Sequence, residues 1–189
     1  MRYALVYPQS HDIVEYTISV LRRLLEVNGH SQVAPDEADV IAISVCDVSQ
    51  ISFVERMRKK YPRVYIVVGG HASIYYPLFG LFANAVNIGQ GFDWFACRTM
   101  EEAEGLPCVW TPGKPGIFIS STRIDWSQVP IANVTKCQRY YWGAVGCKNK
   151  CHFCVTSWTN PHQQNDDWRV KEALQRYPNL TLVTNDSVG

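Results

Sequence analysis

The chain has almost no net charge. Its 18 lysines and arginines are met by 17 aspartates and glutamates, leaving +1 at neutral pH. That balance excludes a surface built generally for nucleic acid or for an anionic membrane. A local basic patch remains open: Lys136, Arg139, Lys148 and Lys150 crowd one region, where a solvated loop rim is an equally good reading. A long apolar run is also missing. From Val64 to Phe92 there is no Asp, Glu, Lys or Arg. Yet Gly69-Gly70-His71, Pro77, Asn84, Asn87 and Gln90 break the stretch short of the ~20 apolar residues a spanning helix needs. No secretory leader is legible, because Arg2-Tyr3-Ala4-Leu5-Val6-Tyr7 after Met1 reads as a first strand. Internal repeats, low-complexity tracts and any credible acid–base or nucleophile triad are lacking. The expectation is a cytoplasmic protein without membrane contact, whose seven cysteines serve as metal ligands or idle thiols rather than disulfides.

What is present suits a packed α/β core. The 189 residues fit one domain, or one domain plus part of another, and the 47% hydrophobic share is ample for it. Strand and helix signals alternate. Tyr3–Tyr7 is a short apolar strand, and His11–Asn28 carries Ile13, Val14, Ile18, Leu21, Leu24, Leu25 and Val27 at near-helical spacing. Gly29 stops that helix. Ser31–Ala34 is a brief second strand; Asp39–Val45 and Arg63–Val68 are nearly uniformly apolar, as strands buried on both faces are. A helix is expected over Ser49–Lys60 with Ser49 as N-cap. Another follows near Tyr76–Phe82, then a strand at Ala85–Ile88 and a helix over Phe92–Ala103. Such alternation predicts a parallel, doubly wound sheet of the Rossmann or flavodoxin-like kind.

Ligands of such sheets sit beyond the carboxyl ends of the strands. Small and polar residues gather there: Pro8-Gln9-Ser10-His11, then Ser44 with Cys46-Asp47, then Gly69-Gly70-His71, then Gly89-Gln90-Gly91. Glycine admits close approach of a ligand to the backbone or simply makes a tight turn. Both readings stand for Ser44, Gly69, Gly70, Gly89 and Gly91.

Further on, Cys147, Cys151 and Cys154 form a Cys-x3-Cys-x2-Cys run. Thiolates are soft ligands, and four of them close a structural zinc or standard iron–sulfur site. Three leave one coordination position open. Three readings compete: buried thiols without metal, which Lys148, Asn149, Lys150 and His152 make a poor fit; a structural zinc completed by His152, His162 or Cys137; and an iron–sulfur cluster with one free iron.

At Cys147, Cys151, Phe153 and Cys154 the chain resembles the radical S-adenosylmethionine superfamily, whose signature is Cys-x3-Cys-x-aromatic-Cys. The resemblance implies a [4Fe-4S] cluster on the three cysteines and S-adenosylmethionine chelating the fourth iron. It implies reductive cleavage to a 5′-deoxyadenosyl radical, and a reductant such as flavodoxin or ferredoxin. Phe153 would lie beside the adenine. Asn185 and Asp186, after a strand at Leu180–Thr184, stand where the family holds the methionyl amino group. Ahead of this, Ala38-Asp39-Val40-Ile41-Ala42-Ile43-Ser44, Ile66-Val67-Val68-Gly69-Gly70-His71 and Asn87-Ile88-Gly89-Gln90-Gly91 resemble the cobalamin-binding-type domain preceding the barrel in one class of these enzymes. That makes cobalamin a further cofactor, with methyl transfer as the outcome typical of the class. Gln90 replaces a usual acidic residue, and the Asp-x-His-x-x-Gly motif that supplies a cobalt ligand in many cobalamin proteins is absent.

The expected organisation is a cobalamin-binding-like Rossmann domain over 1–105, then a connector with a small hairpin over 106–138. The start of a radical S-adenosylmethionine barrel fills 139–189. The hairpin would pair Cys108–Thr111 with Ile117–Ser120 around Pro112-Gly113, and 123–130 reads as an exposed linker. A helix over Asn165–Tyr177 completes one βα unit. The family's barrel has about six such units; the 51 residues from Arg139 to Gly189 hold one, plus one strand. The expectation is therefore the front of a longer enzyme, a truncated product, or a chain whose barrel a second chain completes. The alternative function is a non-catalytic cobalamin- or nucleotide-binding module with a residual iron–sulfur or zinc site. The substrate, small or macromolecular, is not legible.

Overall fold

A computed structural model describes residues 1–8, 12–114, 123–133, 138–149, 151–152 and 161–184, with the side chains of residues 12 and 13 excepted. Apolar β-branched runs become the strands of a six-stranded sheet: β1 (Arg2–Val6), β2 (Ser31–Gln32), β3 (Val40–Ser44), β4 (Tyr65–Gly69), β5 (Ala85–Asn87) and β6 (Val109–Trp110). Their order is β2-β1-β3-β4-β5-β6. The first five run parallel and β6 closes the edge antiparallel to β5. The order reverses at β1, as in doubly wound sheets of the flavodoxin-like kind.

Alternate residues of each central strand face opposite cores. Tyr3, Leu5, Val40, Val67 and Ala85 pack with the helices α1 (Asp12–Val27), α4 (Gly91–Ala96) and α5 (Met100–Gly105). Ala4, Ile41, Ile43, Ile66, Val68 and Val86 pack on the other face with α2 (Ile51–Lys60) and α3 (Tyr76–Phe79). Helices on both faces explain why β3 and β4 read as continuous apolar runs. Among the described residues no helix is long and apolar enough to cross a membrane.

Three local expectations are corrected. Ser49 does not cap α2, whose N-cap position is Gln50; Asp47 caps the 3-10 turn Val48–Gln50 that leads into it, its side chain accepting from the Ser49 N–H at 2.8 Å. The helix expected over Phe92–Ala103 is two helices. A capping box breaks it, in which Thr99 accepts from Glu102 N–H and the Glu102 carboxylate takes the Thr99 N–H. The segment 123–130 is not exposed. Ile124, Trp126 and Val129 are buried in the α1 core, while Arg123, Asp125 and Ser127 face solvent. Val109–Trp110 pairs with β5, and the turn at Pro112-Gly113 is closed by a bridge between Thr111 and Lys114. The other arm of the expected hairpin, Ile117–Ser120, lies outside the described residues.

A second, three-stranded sheet holds β7 (Ala132–Asn133), β8 (Arg139–Trp142) and β11 (Leu180–Val183) in the order β11-β8-β7. β8 and β11 are parallel and joined through the helix Asp167–Arg176, so this part is a βαβ unit. A two-stranded pair, β9 (Ala144–Val145) with β10 (Gln163–Gln164), lies between them in sequence.

Helix α1 serves both sheets. Its expected stripe is buried at Val14, Ile18, Leu24 and Leu25, but Val27 is exposed, and Tyr16 and Val20 are buried as well. Tyr16 is fully buried against the rings of Tyr140 and Trp142. Its hydroxyl accepts from the Trp142 backbone N–H at 2.8 Å and donates to the Pro130 carbonyl at 3.1 Å. Burial pushes the Tyr16 phenol well above its ordinary pKa, so it remains a neutral donor. Tyr16→Phe strands the Trp142 N–H and the Pro130 carbonyl. It should lower unfolding stability by about 1–3 kcal/mol in urea titration, against a negligible change for Tyr75→Phe on the surface.

Candidate functional site

Above the carboxyl ends of β3, β4 and β5 lies a cavity of about 380 Å³. Its floor is sheet: Ala42, Ser44, Val67, Gly69 and Asn87. Val14, Thr17, Ile18 and Leu21 of α1 and Phe92 and Phe95 of α4 form one wall. Trp142, Val145 and Val183, from β8, β9 and β11, form another. Ser44, Gly69, Gly70, Gly89 and Gly91, the five residues singled out at strand ends, all line it. Cys46 and His71 are exposed residues of the same lining. Among the described residues the lining holds no Asp, Glu, Lys or Arg.

The glycines are not alike. Gly70 has φ +98°, and a Cβ there would meet the Val45 carbonyl oxygen at 2.5 Å. It is glycine because its backbone conformation and packing demand it. Gly91 lets α4 sit on α1, since a Cβ would lie 2.7 Å from Leu21 Cδ2. Gly69 has no such cause: its Cβ would meet only the Asn87 carbonyl oxygen, at 3.8 Å. Its missing side chain leaves floor space between Ser44 and Asn87.

Asn87 is the residue that sequence reading passed over as a mere break in an apolar stretch. It is 4% exposed. Its Nδ2 donates to the Gln90 carbonyl at 3.2 Å, while Oδ1 is buried without a hydrogen bond. A polar residue at the inward-facing end of a buried strand was the available signal.

The cysteine run leaves the second unit on a pinched excursion. Val145 pairs with Gln163 across β9 and β10, and Cys147 bridges to Pro161. Gly146, with φ +77°, turns the chain out of β9. Cys147 and Cys151 are half-buried, whereas Lys148, Asn149 and His152 are exposed. The Cys147 thiol donates to the Asn149 carbonyl at 3.6 Å. On the return, Asn165 is buried; its N–H donates to the Gly143 carbonyl and its Nδ2 to the Trp142 carbonyl, each at 2.9 Å. Asn165 thus ties the excursion to the end of β8, a role no spacing in the sequence announced.

Cys154, Phe153, Asn185 and Asp186 lie outside the described residues, as does Cys137. Among the described residues there is no group of three or more His, Cys, Asp or Glu able to hold a metal ion; the third cysteine of the run falls outside that set. The donor set itself fits a soft, thiolate-bound metal. Cys108 is different: buried beside Asp93, its thiol donates to Oδ2 at 3.5 Å, and burial pushes its pKa up to about 12. It is an inert core thiol.

No protein-family model matches the sequence, and no curated protein matches it. Two glycine variants test the reading of the cavity floor. Gly70→Ala should cost about 1–3 kcal/mol, from its backbone conformation. Gly69→Ala should stay within about 1 kcal/mol of the parent. Paired urea melts read both.

Proposed function

We propose that the chain is an iron–sulfur protein of the radical S-adenosylmethionine type. Cys147, Cys151 and Cys154 would hold a [4Fe-4S] cluster, with the fourth iron left to S-adenosylmethionine. The observation that carries this reading is the setting of the run. Cys147 and Cys151 are half-buried on one excursion between the two parallel strands of a βαβ unit, among exposed polar neighbours. Of the cysteines outside the run, Cys108 is enclosed, Cys97 half-buried and Cys46 exposed, and none shares its loop with a second thiol. A zinc site completed by His152 finds that histidine exposed, and His162 is half-buried.

When bound, the cluster and its ligand supply one-electron reduction of a sulfonium and hydrogen abstraction from a substrate. The chain's own part is positional. Gly146 and the Cys147–Pro161 bridge fix where the excursion leaves and rejoins the unit. Asn165 holds the end of β8. Trp142, Val145 and Val183 give the cavity an apolar wall, and Val145 is two residues ahead of Cys147 in the chain. Phe153 beside adenine, and Asn185 with Asp186 near the methionyl amino group, complete the proposal. Electrons would come from a reductant such as flavodoxin or ferredoxin.

The cavity would take part of a second cofactor, cobalamin or a nucleotide, at Ser44, Gly69, Gly70, Gly89 and Gly91. At about 380 Å³ it is near the lower end of ligand pockets and would enclose only a portion of cobalamin. Its named lining residues are all described, unlike the cysteine run, which favours one second reading: a cofactor-binding module without catalysis.

Anaerobic reconstitution with iron and sulfide should give broad charge-transfer absorbance, lost in the Cys147→Ala/Cys151→Ala/Cys154→Ala triple variant. An unchanged spectrum in that variant, or zinc in place of iron and sulfide, sinks the cluster reading. Release of 5′-deoxyadenosine from S-adenosylmethionine under dithionite would rule out the module reading.

A further inference from the structure

Charge is not spread evenly along this chain. Between Asp47 and Asp93 stand five Lys or Arg and a single acid, Glu55, a local +4 in a chain whose total is +1. The five are Arg56, Arg58, Lys59 and Lys60 on α2 and Arg63 just after it. Lys59 pairs with Glu55 at 2.7 Å, and Asp36 lies near Lys60. Among the described residues Arg56 and Arg63 have no acidic partner. Next to α2 is apolar surface that the fold does not bury. Tyr75, Leu78 and Leu81 are 47%, 44% and 71% exposed. They are spaced by three along the 3-10 turn His71–Tyr75, α3 and the turn after it, so they share one side. The Leu81 N–H donates to the Leu78 carbonyl at 3.3 Å, and Phe79 beneath them is fully buried. Single exposed apolar residues are ordinary, but three in a row on an anchored turn form a ridge.

Arg58 joins the ridge to the basic residues. Its Nε donates to the Phe82 carbonyl at 2.8 Å, and its Nη1 to the Pro62 and Val64 carbonyls at 3.2 and 3.0 Å. Leu81 precedes Phe82 and Arg63 follows Pro62. The most exposed leucine and an unpaired arginine are thus gathered round one guanidinium. Both helices cover the sheet face opposite α1, away from the second sheet that α1 carries. A protein partner would need a groove shaped to this ridge. A lipid interface has no shape of its own: it takes leucine and tyrosine at headgroup depth, and its anionic headgroups attract Lys and Arg.

We propose that this face docks on an anionic membrane surface, with Tyr75, Leu78 and Leu81 entering the interface and the basic residues of α2, with Arg63, lying on the headgroups. Neither the cysteine cluster nor the cavity enters into it. The even charge of the whole chain conceals this patch, because the compensating acids lie elsewhere in the sequence.

Sedimentation with vesicles tests it, using phosphatidylcholine alone and phosphatidylcholine mixed with phosphatidylglycerol. The chain should pellet with the anionic vesicles, bind the neutral ones at least about tenfold more weakly, and come off the anionic ones at high salt. Leu78→Ser/Leu81→Ser should bind anionic vesicles about tenfold more weakly. Arg56→Gln/Arg63→Gln should lose at least about fivefold, on those vesicles alone. Trp168→Ser/Leu174→Ser, on the other exposed apolar face, should keep the parent binding. No pelleting with anionic vesicles, equal binding of both compositions, or parent-level binding by the leucine variant each overturns the proposal. So does loss of binding in the Trp168→Ser/Leu174→Ser variant, which would move the contact to the βαβ unit. A chain that ignores vesicles but forms a dimer lost in the leucine variant, read by ultracentrifugation, would give the ridge to a second copy and overturn it too. The comparison of two vesicle compositions on the parent chain holds even where a variant fails to fold.

Discussion

Helix α1 is packed on two sheets at once, and Tyr16 is where the second contact is made. A helix on the face of a doubly wound sheet ordinarily turns its far side to solvent. Here Tyr16 and Val20 are also fully buried. The Tyr16 hydroxyl accepts from the Trp142 N–H and donates to the Pro130 carbonyl, so one side chain holds both the chain ahead of β7 and the last residue of β8. A phenol is suited to this because its ring fills apolar space while its oxygen both donates and accepts. The burial of Ile124, Trp126 and Val129 beside the same helix follows from that docking.

The docking has a consequence for chemistry. Trp142 ends β8 and also walls the cavity over the first sheet. Five positions later the chain reaches Cys147. The wall of the cavity and the base of the cysteine excursion are thus one short piece of backbone, fixed by Tyr16 on one side and Asn165 on the other. The exposed side of the βαβ unit is less finished: Trp168, Leu174 and Leu182 present apolar surface to solvent.

The first sheet was legible because β3 and β4 carry β-branched residues that suit burial on both faces, and because turn residues separate them from the helices. Its parallel order followed from the alternation of elements. Other features were misread for physical reasons. A hydrophobic stripe marks one buried face, so Tyr16 and Val20 look like ordinary members of a solvent side. The segment 123–130 was judged by its polar content, although Ile124 and Trp126 alternate with Arg123, Asp125 and Ser127, the period-2 pattern of a half-buried extended chain. Thr99 and Glu102 spell a capping box inside what looked like one helix. At the site, spacing singled out the glycines and cysteines, but only coordinates separate Gly70, required by its conformation, from Gly69, which nothing local requires. The unpartnered Oδ1 of Asn87 is invisible to sequence, because a missing hydrogen bond has no spacing.

The central claim is that three thiolates on one excursion hold a cluster and leave one iron open. Electron paramagnetic resonance of the reduced, reconstituted protein tests it most directly. Adding S-adenosylmethionine should shift the g-values of the cluster signal, because the added ligand binds the open iron. A cluster signal that S-adenosylmethionine leaves unmoved, or no signal from a protein that holds its cavity and fold, would contradict the account.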